Sequence, residues 1–264
     1  MATPQLPLRR RLSDGEQVTG CLLRMPAEET VEMLGVAGFD FVLIDCEHGP
    51  ADVTSLRQHI ALAQLHGMAP LVRVGLDEHQ LILRALDQGA EGIIAPHIDT
   101  AAAASELVDA VHYPPLGHRG FATYSRSGRF GTVPAPEHHA RCQEGTLVMA
   151  MLESPEAATN AGEILAQPGV DGYLIGTADL QASLTSGDLT FDEAVTMIRG
   201  QAEVVGGFRA DLASSRAGAE SSLADGAQLV VYNLAHLMME LFGTLRPHSS
   251  PDVDGSPETE ARRP

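Results

Sequence analysis

The stretch AGFDFVLIDCEHGP at 37–50 decides how the chain is read. Its centre, Phe41–Asp45, is a continuous apolar run and not an alternating one. That pattern suits a strand buried on both faces, as in a parallel sheet. The run stops at Asp45, and Cys46, Glu47 and His48 follow, so reactive side chains stand at the strand's C-terminal end. Working outward, similar short runs lie at Val18–Leu23, 71–74, 92–96, 147–153, Gly172–Ile175, 204–208 and 229–232, which makes eight candidate strands.

The segments between them read as helices. Val53, Leu56, Ile60 and Ala63 recur at helical spacing before Gly67, and Ile82, Ala85 and Leu86 do so before Gly89. Asp99 and Thr100 cap an alanine-rich helix that stops ahead of Pro114 and Pro115. Met238, Leu241, Phe242 and Leu245 give the last helix an apolar face. Eight β/α units predict a (β/α)8 TIM barrel over 15–246, with a doubly wound open sheet as the alternative, because counting strands does not establish closure. A flexible segment is expected at 1–14. The polar tail PHSSPDVDGSPETEARRP at 247–264 reads as disordered. Residues 116–145 show no clear periodicity and read as a long loop, with His138 and His139 on a solvated turn.

Composition narrows the function. The 264 residues carry 17 basic and 35 acidic side chains, a net charge of -18, which repels nucleic acid and anionic membranes. No apolar stretch approaches the ~20 residues that span a bilayer. All 17 basic residues are arginine. Without lysine there is no Schiff base and no lysine-dependent P-loop. The three cysteines, Cys21, Cys46 and Cys142, suggest neither a disulfide framework nor a zinc site. MATPQLPLRRRLSDGE has no apolar run after its arginines, so a secretory signal is not expected and a reduced, cytoplasmic setting is.

In a barrel, chemistry gathers at the C-terminal ends of the strands. Those ends carry Asp45 to His48, Arg73, His97 with Asp99, Glu153, and Gly176 to Asp179. Glu153 and Asp179 form a hard oxygen pair suited to Mg2+ or Mn2+. The plainer alternative makes each a helix cap. Asp45, three residues before His48, is placed to orient an imidazole base. Arg73, in the apolar run LVRV, needs an anionic partner: a substrate oxyanion or a structural carboxylate. The turn at Gly176 to Asp179 offers backbone N–H groups to an anion.

Together these residues resemble the HpcH/HpaI family of class II, metal-dependent pyruvate aldolases. The likeness runs from about Gly15 to Leu245. It is carried by AGFDFVLIDCEHGP at 37–50, PLVRV at 70–74, LDQGAEGIIAPHIDT at 86–100, YPPLGHRG at 113–120, LESPEA at 152–157 and GVDGYLIGTADLQASL at 169–184. The resemblance implies a divalent metal ion (Mg2+, Mn2+ or Co2+) on Glu153 and Asp179. It makes His48 the base oriented by Asp45, and gives Asp87 the part of reaching a neighbouring subunit's site to strengthen that base. Arg73 would stabilise the enolate oxygen, and Gly176 and the Ala178 N–H would hold the substrate carboxylate. It further implies a homo-oligomer, a hexamer or trimer, with the last helix exchanged between neighbours. The sequence departs from the family pattern at Met151, Thr177, Gln181 and Leu234 with Ala235. Met151 stands where a substrate-touching glutamine is usual.

The leading expectation is reversible aldol cleavage of a 4-hydroxy-2-oxo acid to pyruvate, or a related 2-oxo acid, and an aldehyde. Two rivals accompany it. One is a bond-forming, citrate-synthase-like enzyme that joins oxaloacetate to an acyl-CoA, with Arg119, Arg126 and Arg129 available for an extra anion. The other is a metal-binding barrel without turnover.

Overall fold

The structure, a computed structural model, describes residues 6–50, 52–187 and 189–246. Eight parallel strands close into a barrel in chain order: β1 Val18–Leu23, β2 Phe41–Asp45, β3 Ala69–Arg73, β4 Gly92–Ala95, β5 Leu147–Leu152, β6 Gly172–Ile175, β7 Phe208–Ala213 and β8 Leu229–Asn233. Around and between them run α1 Leu8–Ser13, α2 Glu28–Ala37, α3 Val53–Leu65, α4 His79–Gln88, α5 Ala101–Val111, α6 Ala135–Gly145, α7 Pro155–Leu165, α8 Thr177–Ser183, α9 Phe191–Val205, α10 Arg216–Ala224 and α11 Leu234–Leu245. Pairing of β1 with β8 closes the ring and excludes the open sheet. The residues at 247–264, expected to form a disordered tail, lie outside the described residues.

Strand alternation sorts the side chains into two cores. Odd positions of β2 and β3 (Phe41 and Leu43, then Ala69 and Leu71) point inward with Leu22, Ile94, Met149, Leu174 and Val231. Their neighbours Val42, Ile44 and Val72 point outward against the helices. Burial on both faces is why these strands read as unbroken apolar runs.

The N-terminal segment departs from expectation. Residues 8–13 are not a flexible arm but helix α1, and it plugs the lower end of the barrel. Leu8 and Leu12 are fully or almost fully buried within the inner core. Arg9 Nε donates to Asp171 at 2.7 Å, and Arg11 Nη2 to Asp40 at 2.6 Å. The Leu8 N–H donates to Glu91 Oε2 at 3.2 Å. Each of these acids stands immediately before an even-numbered strand, so α1 is anchored to the strand starts.

Two other segments differ from the sequence reading. Strand seven lies at Phe208–Ala213, not 204–208. Val204 and Val205 belong to α9, which a capping box at Thr190 and Glu193 starts and left-handed Gly206 ends. The β-branched pair was misleading: both valines are exposed at the end of a helix whose buried face is Ala194, Ile198 and Ala202. The stretch 116–145 is not wholly loop, for α6 occupies its second half. His138 is buried there, its Nε2 3.3 Å from the Tyr113 hydroxyl, so it does not sit on a solvated turn.

The plug makes a quantitative prediction. Leu8→Ala opens a cavity at the barrel floor and is expected to cost about 2–5 kcal/mol, measured by urea unfolding. An exposed control, Leu6→Ala, is expected to change stability by less than about 0.5 kcal/mol.

Candidate active site

Above the apolar layers, the same inward alternation continues into charge. Leu22 is followed two residues on by Arg24, Leu43 by Asp45, Leu71 by Arg73 and Met151 by Glu153. Because the strands share one direction, these side chains meet at one mouth.

Asp45 is the hub. Its side chain is wholly buried between two guanidinium groups. Arg73 grips it bidentately, Nε to Oδ1 at 2.9 Å and Nη2 to Oδ2 at 2.5 Å. Arg24 Nε adds a bond to Oδ2 at 2.8 Å. Oδ1 also accepts the backbone N–H groups of Glu47 and His48, each at 3.2 Å. Burial disfavours the charge, but the hydrogen bonds and charge of Arg73, with help from the His48 N–H and Arg24, hold the carboxyl below the usual carboxylate range. Arg73 also pairs with Glu47 Oε2 at 3.2 Å, and its Nη1 lies 3.9 Å from Met151 Sδ.

This arrangement corrects one expectation. Asp45 does not orient the His48 imidazole, because both its oxygens are taken by the arginines and the turn. It fixes the His48 backbone instead. The ring is half exposed, with Nε2 3.9 Å from Glu47 Oε2. Asp87 also lies apart from this mouth. It sits in the last turn of α4, a helix that returns toward the strand starts, where its Oδ1 accepts from Arg119 Nη2 at 2.7 Å. Arg119 is buried and stacked over the Tyr113 ring at 4.7 Å, and Arg126 is bound to Gln64 and to the Gln88 carbonyl. Two of the three arginines considered for an extra anion are therefore engaged within the chain.

Glu153 is buried just beyond β5. It is not a helix cap, since Ser154 Oγ accepts the Ala157 N–H at the start of α7. Its Oε1 accepts the His97 N–H at 2.7 Å, with the His97 ring Nδ1 3.3 Å away. Oε2 faces Gly176, where an added Cβ atom would stand 2.2 Å from Oε2 and 2.8 Å from the Glu153 Cβ, so a side chain there would displace Glu153. Asp179 lies in the first turn of α8. Burial raises the Glu153 carboxyl; the His97 N–H and ring oppose this, while the charges of Asp179 and Glu47 add to it. A buried carboxylate surrounded by like charges invites a cation, and hard oxygen donors suit Mg2+ or Mn2+. Among the described residues, no group of three or more His, Cys, Asp or Glu side chains is arranged to hold a metal ion.

The sequence reading assigned no role to Arg24 and none beyond strand-end position to His97. The signal for Arg24 was the period-two step from Leu22. The signal for His97 is a left-handed backbone, φ 53°, which only coordinates show.

The fold is that of (β/α)8 barrel proteins, with acids and an arginine-bound aspartate at the mouth, and comparison with known proteins gives the family. The chain belongs to the HpcH/HpaI aldolase/citrate lyase family, whose model matches residues 19–231. It is 40% identical to the hydroxypyruvate/pyruvate aldolase of Roseobacter denitrificans over 185 residues, 70% of this chain and 72% of that one. It is 36% identical to the 5-keto-4-deoxy-D-glucarate aldolase of Salmonella gallinarum over 63% of this chain and 64% of that protein. A crystal structure of a family member from Burkholderia cenocepacia J2315 superposes with a TM-score of 0.82 at 28% identity, covering 90% of this chain and 96% of the other. The protein is a carbon–carbon lyase of a metal-dependent family. No helix among the described residues is long and apolar enough to cross a membrane.

Asp45 yields a prediction with a definite sign. Its native pKa is depressed, so its contribution to stability is present above the unfolded value, about 3.9, and is lost as pH falls through the lower native value. Asp45→Asn is expected to cost about 3–5 kcal/mol at pH 7 by leaving the buried Arg73 guanidinium with Glu47 as its one close anionic partner among the described residues. In urea unfolding, the gap between variant and wild type is expected to narrow as the pH falls below that of an ordinary aspartate.

Proposed function

We propose that the protein catalyses reversible aldol cleavage of a 4-hydroxy-2-oxo acid to pyruvate or hydroxypyruvate and an aldehyde. The observation that carries this reading is the juxtaposition of buried Glu153, first-turn Asp179 and bidentate Arg73 at one barrel mouth. Two of the similar proteins, a hydroxypyruvate/pyruvate aldolase and a 5-keto-4-deoxy-D-glucarate aldolase, support the choice of substrate class.

In this reading Glu153 and Asp179 hold a divalent ion, Mg2+, Mn2+ or Co2+. When bound, it supplies Lewis-acid polarisation of the 2-oxo acid. Gly176 and the Ala178 N–H border the carboxylate end of the substrate. His48, its backbone fixed by Asp45, takes the proton of the C4 hydroxyl. The C3–C4 bond breaks, the aldehyde leaves, and the bonding electron pair passes into the enolate of the 2-oxo acid. Arg73 faces the oxygen on which that charge develops, and its orientation is fixed before reaction because Asp45 holds its plane. A proton returned to C3 releases the product acid. Met151 presents a thioether where a hydrogen-bonding side chain is usual, so this wall of the pocket recognises substrate by contact rather than by polarity.

Assembly belongs to the same proposal. Every residue of α11 keeps some exposure, and Met239, Leu241, Phe242 and Leu245 are exposed apolar side chains. Such a helix suits exchange with a second copy in a homo-oligomer, trimeric or hexameric, where Asp87 would approach a neighbour's site. The free thiols of Cys21, Cys46 and Cys142 suit a reduced cytoplasmic setting.

Pyruvate or hydroxypyruvate formation from 4-hydroxy-2-oxo acids, followed with a coupled dehydrogenase, is expected to vanish with EDTA and to return with Mg2+, Mn2+ or Co2+. Turnover indifferent to chelation would overturn the mechanism. Light scattering of the eluted protein is expected to give a trimer or hexamer, and Phe242→Glu on α11 is expected to shift it toward monomer.

A further inference from the structure

We infer that His97 is a positioning residue for Glu153, anchoring one carboxylate oxygen so that the other is presented to the divalent ion. The inference rests on the reading of Glu153 and Asp179 as the residues that hold that ion.

Three observations converge. First, His97 follows β4 with φ 53°, a left-handed conformation that a non-glycine residue adopts at a cost. Second, that conformation brings two groups of one residue onto one oxygen: the His97 N–H donates to Glu153 Oε1 at 2.7 Å, and ring Nδ1 lies 3.3 Å from the same atom. The other oxygen, Oε2, is left against Gly176, beside the turn that carries Asp179. Third, the surrounding chain holds the strained turn in place. The Ile98 N–H donates to the Met151 carbonyl at 3.2 Å. Ser154 Oγ donates to Asp99 Oδ1 at 2.5 Å, and Asn160 Nδ2 to the Asp99 carbonyl at 2.9 Å. The turn after β4 is therefore stitched to the residues flanking Glu153.

Stability alone would place glycine at position 97, where the left-handed backbone is free of strain. A histidine there accepts strain in return for a ring on Oε1. Fixing one oxygen removes rotamer freedom that the carboxylate would otherwise lose on taking up the ion. Outer partners of this kind typically alter metal affinity by 10- to 100-fold.

The test separates ring from backbone. Full-length protein is titrated with Mn2+, and the free ion is read from its electron paramagnetic resonance signal. His97→Gly keeps the N–H and relieves the backbone while removing the ring. It is expected to raise the Mn2+ Kd by about 10- to 100-fold, with a thermal midpoint close to wild type. His97→Asn tolerates the same backbone and carries a side-chain amide, so it is expected to bind Mn2+ more tightly than His97→Gly. A wild-type Kd in His97→Gly, or no recovery in His97→Asn, would refute the role of the ring. Failure of wild-type protein to bind Mn2+, or unchanged binding in Glu153→Gln, would instead overturn the metal reading and this inference with it.

Discussion

The mouth of this barrel depends on one buried carboxylate held by two guanidinium groups. Removing Asp45 and Arg73 from water is costly, and the bidentate pairing, with a further bond from the part-exposed Arg24, offsets that cost. The consequence is mechanical. Asp45 ends β2, Arg73 ends β3 and Arg24 follows β1, so one ionic knot ties three adjacent strand ends. The leftover capacity of Asp45 then closes the turn that displays His48. Arg73 gains a fixed plane and His48 a fixed backbone from the same atom pair, which is why Asp45 is not available to the imidazole.

The two ends of the barrel use charge differently. At the floor, Arg9 and Arg11 of α1 reach acids that precede the strands, and Leu8 and Leu12 fill the apolar interior. Charge there locates a hydrophobic plug. At the mouth, the acids outnumber what the arginines neutralise: Glu47 shares Arg73 with Asp45, while Glu153 and Asp179 face each other's field. A folded protein keeps such repulsion where something else supplies the missing positive charge. The hydrophobic plug lies at one end and the candidate site at the other, the division expected of this fold.

Much of the fold was legible because burial on both faces leaves an unmistakable pattern. Val18–Leu23, Phe41–Asp45 and Gly172–Ile175 are strands with the bounds their apolar runs suggest. Strand seven was not legible at the same level. FRADLA alternates charge with small apolar residues, while the nearby β-branched pair Val204 and Val205 serves a helix. His138 and His139 do point different ways, but on helix α6 rather than a turn, and His138 points inward. Its imidazole is partnered inside, against Tyr113 and Phe121. The candidate site was legible as a set of residue types at strand ends; Arg24 was not among them, although it follows β1 at the same inward step that Asp45 and Arg73 occupy in their strands.

The sequence by itself determined that eight buried strands alternate with helices, that no lysine is present for covalent chemistry, and that acids, an arginine and a histidine stand where strands end. These are matters of local pattern, and local pattern is written residue by residue. Only the tertiary structure decided which partner each charge takes: Asp45 with Arg73 and Arg24, Asp87 with Arg119, Glu153 with His97. Pairing among charges depends on distances of a few ångströms between residues far apart in the chain, and those distances are set by the register of neighbouring strands and the packing of the segments between them.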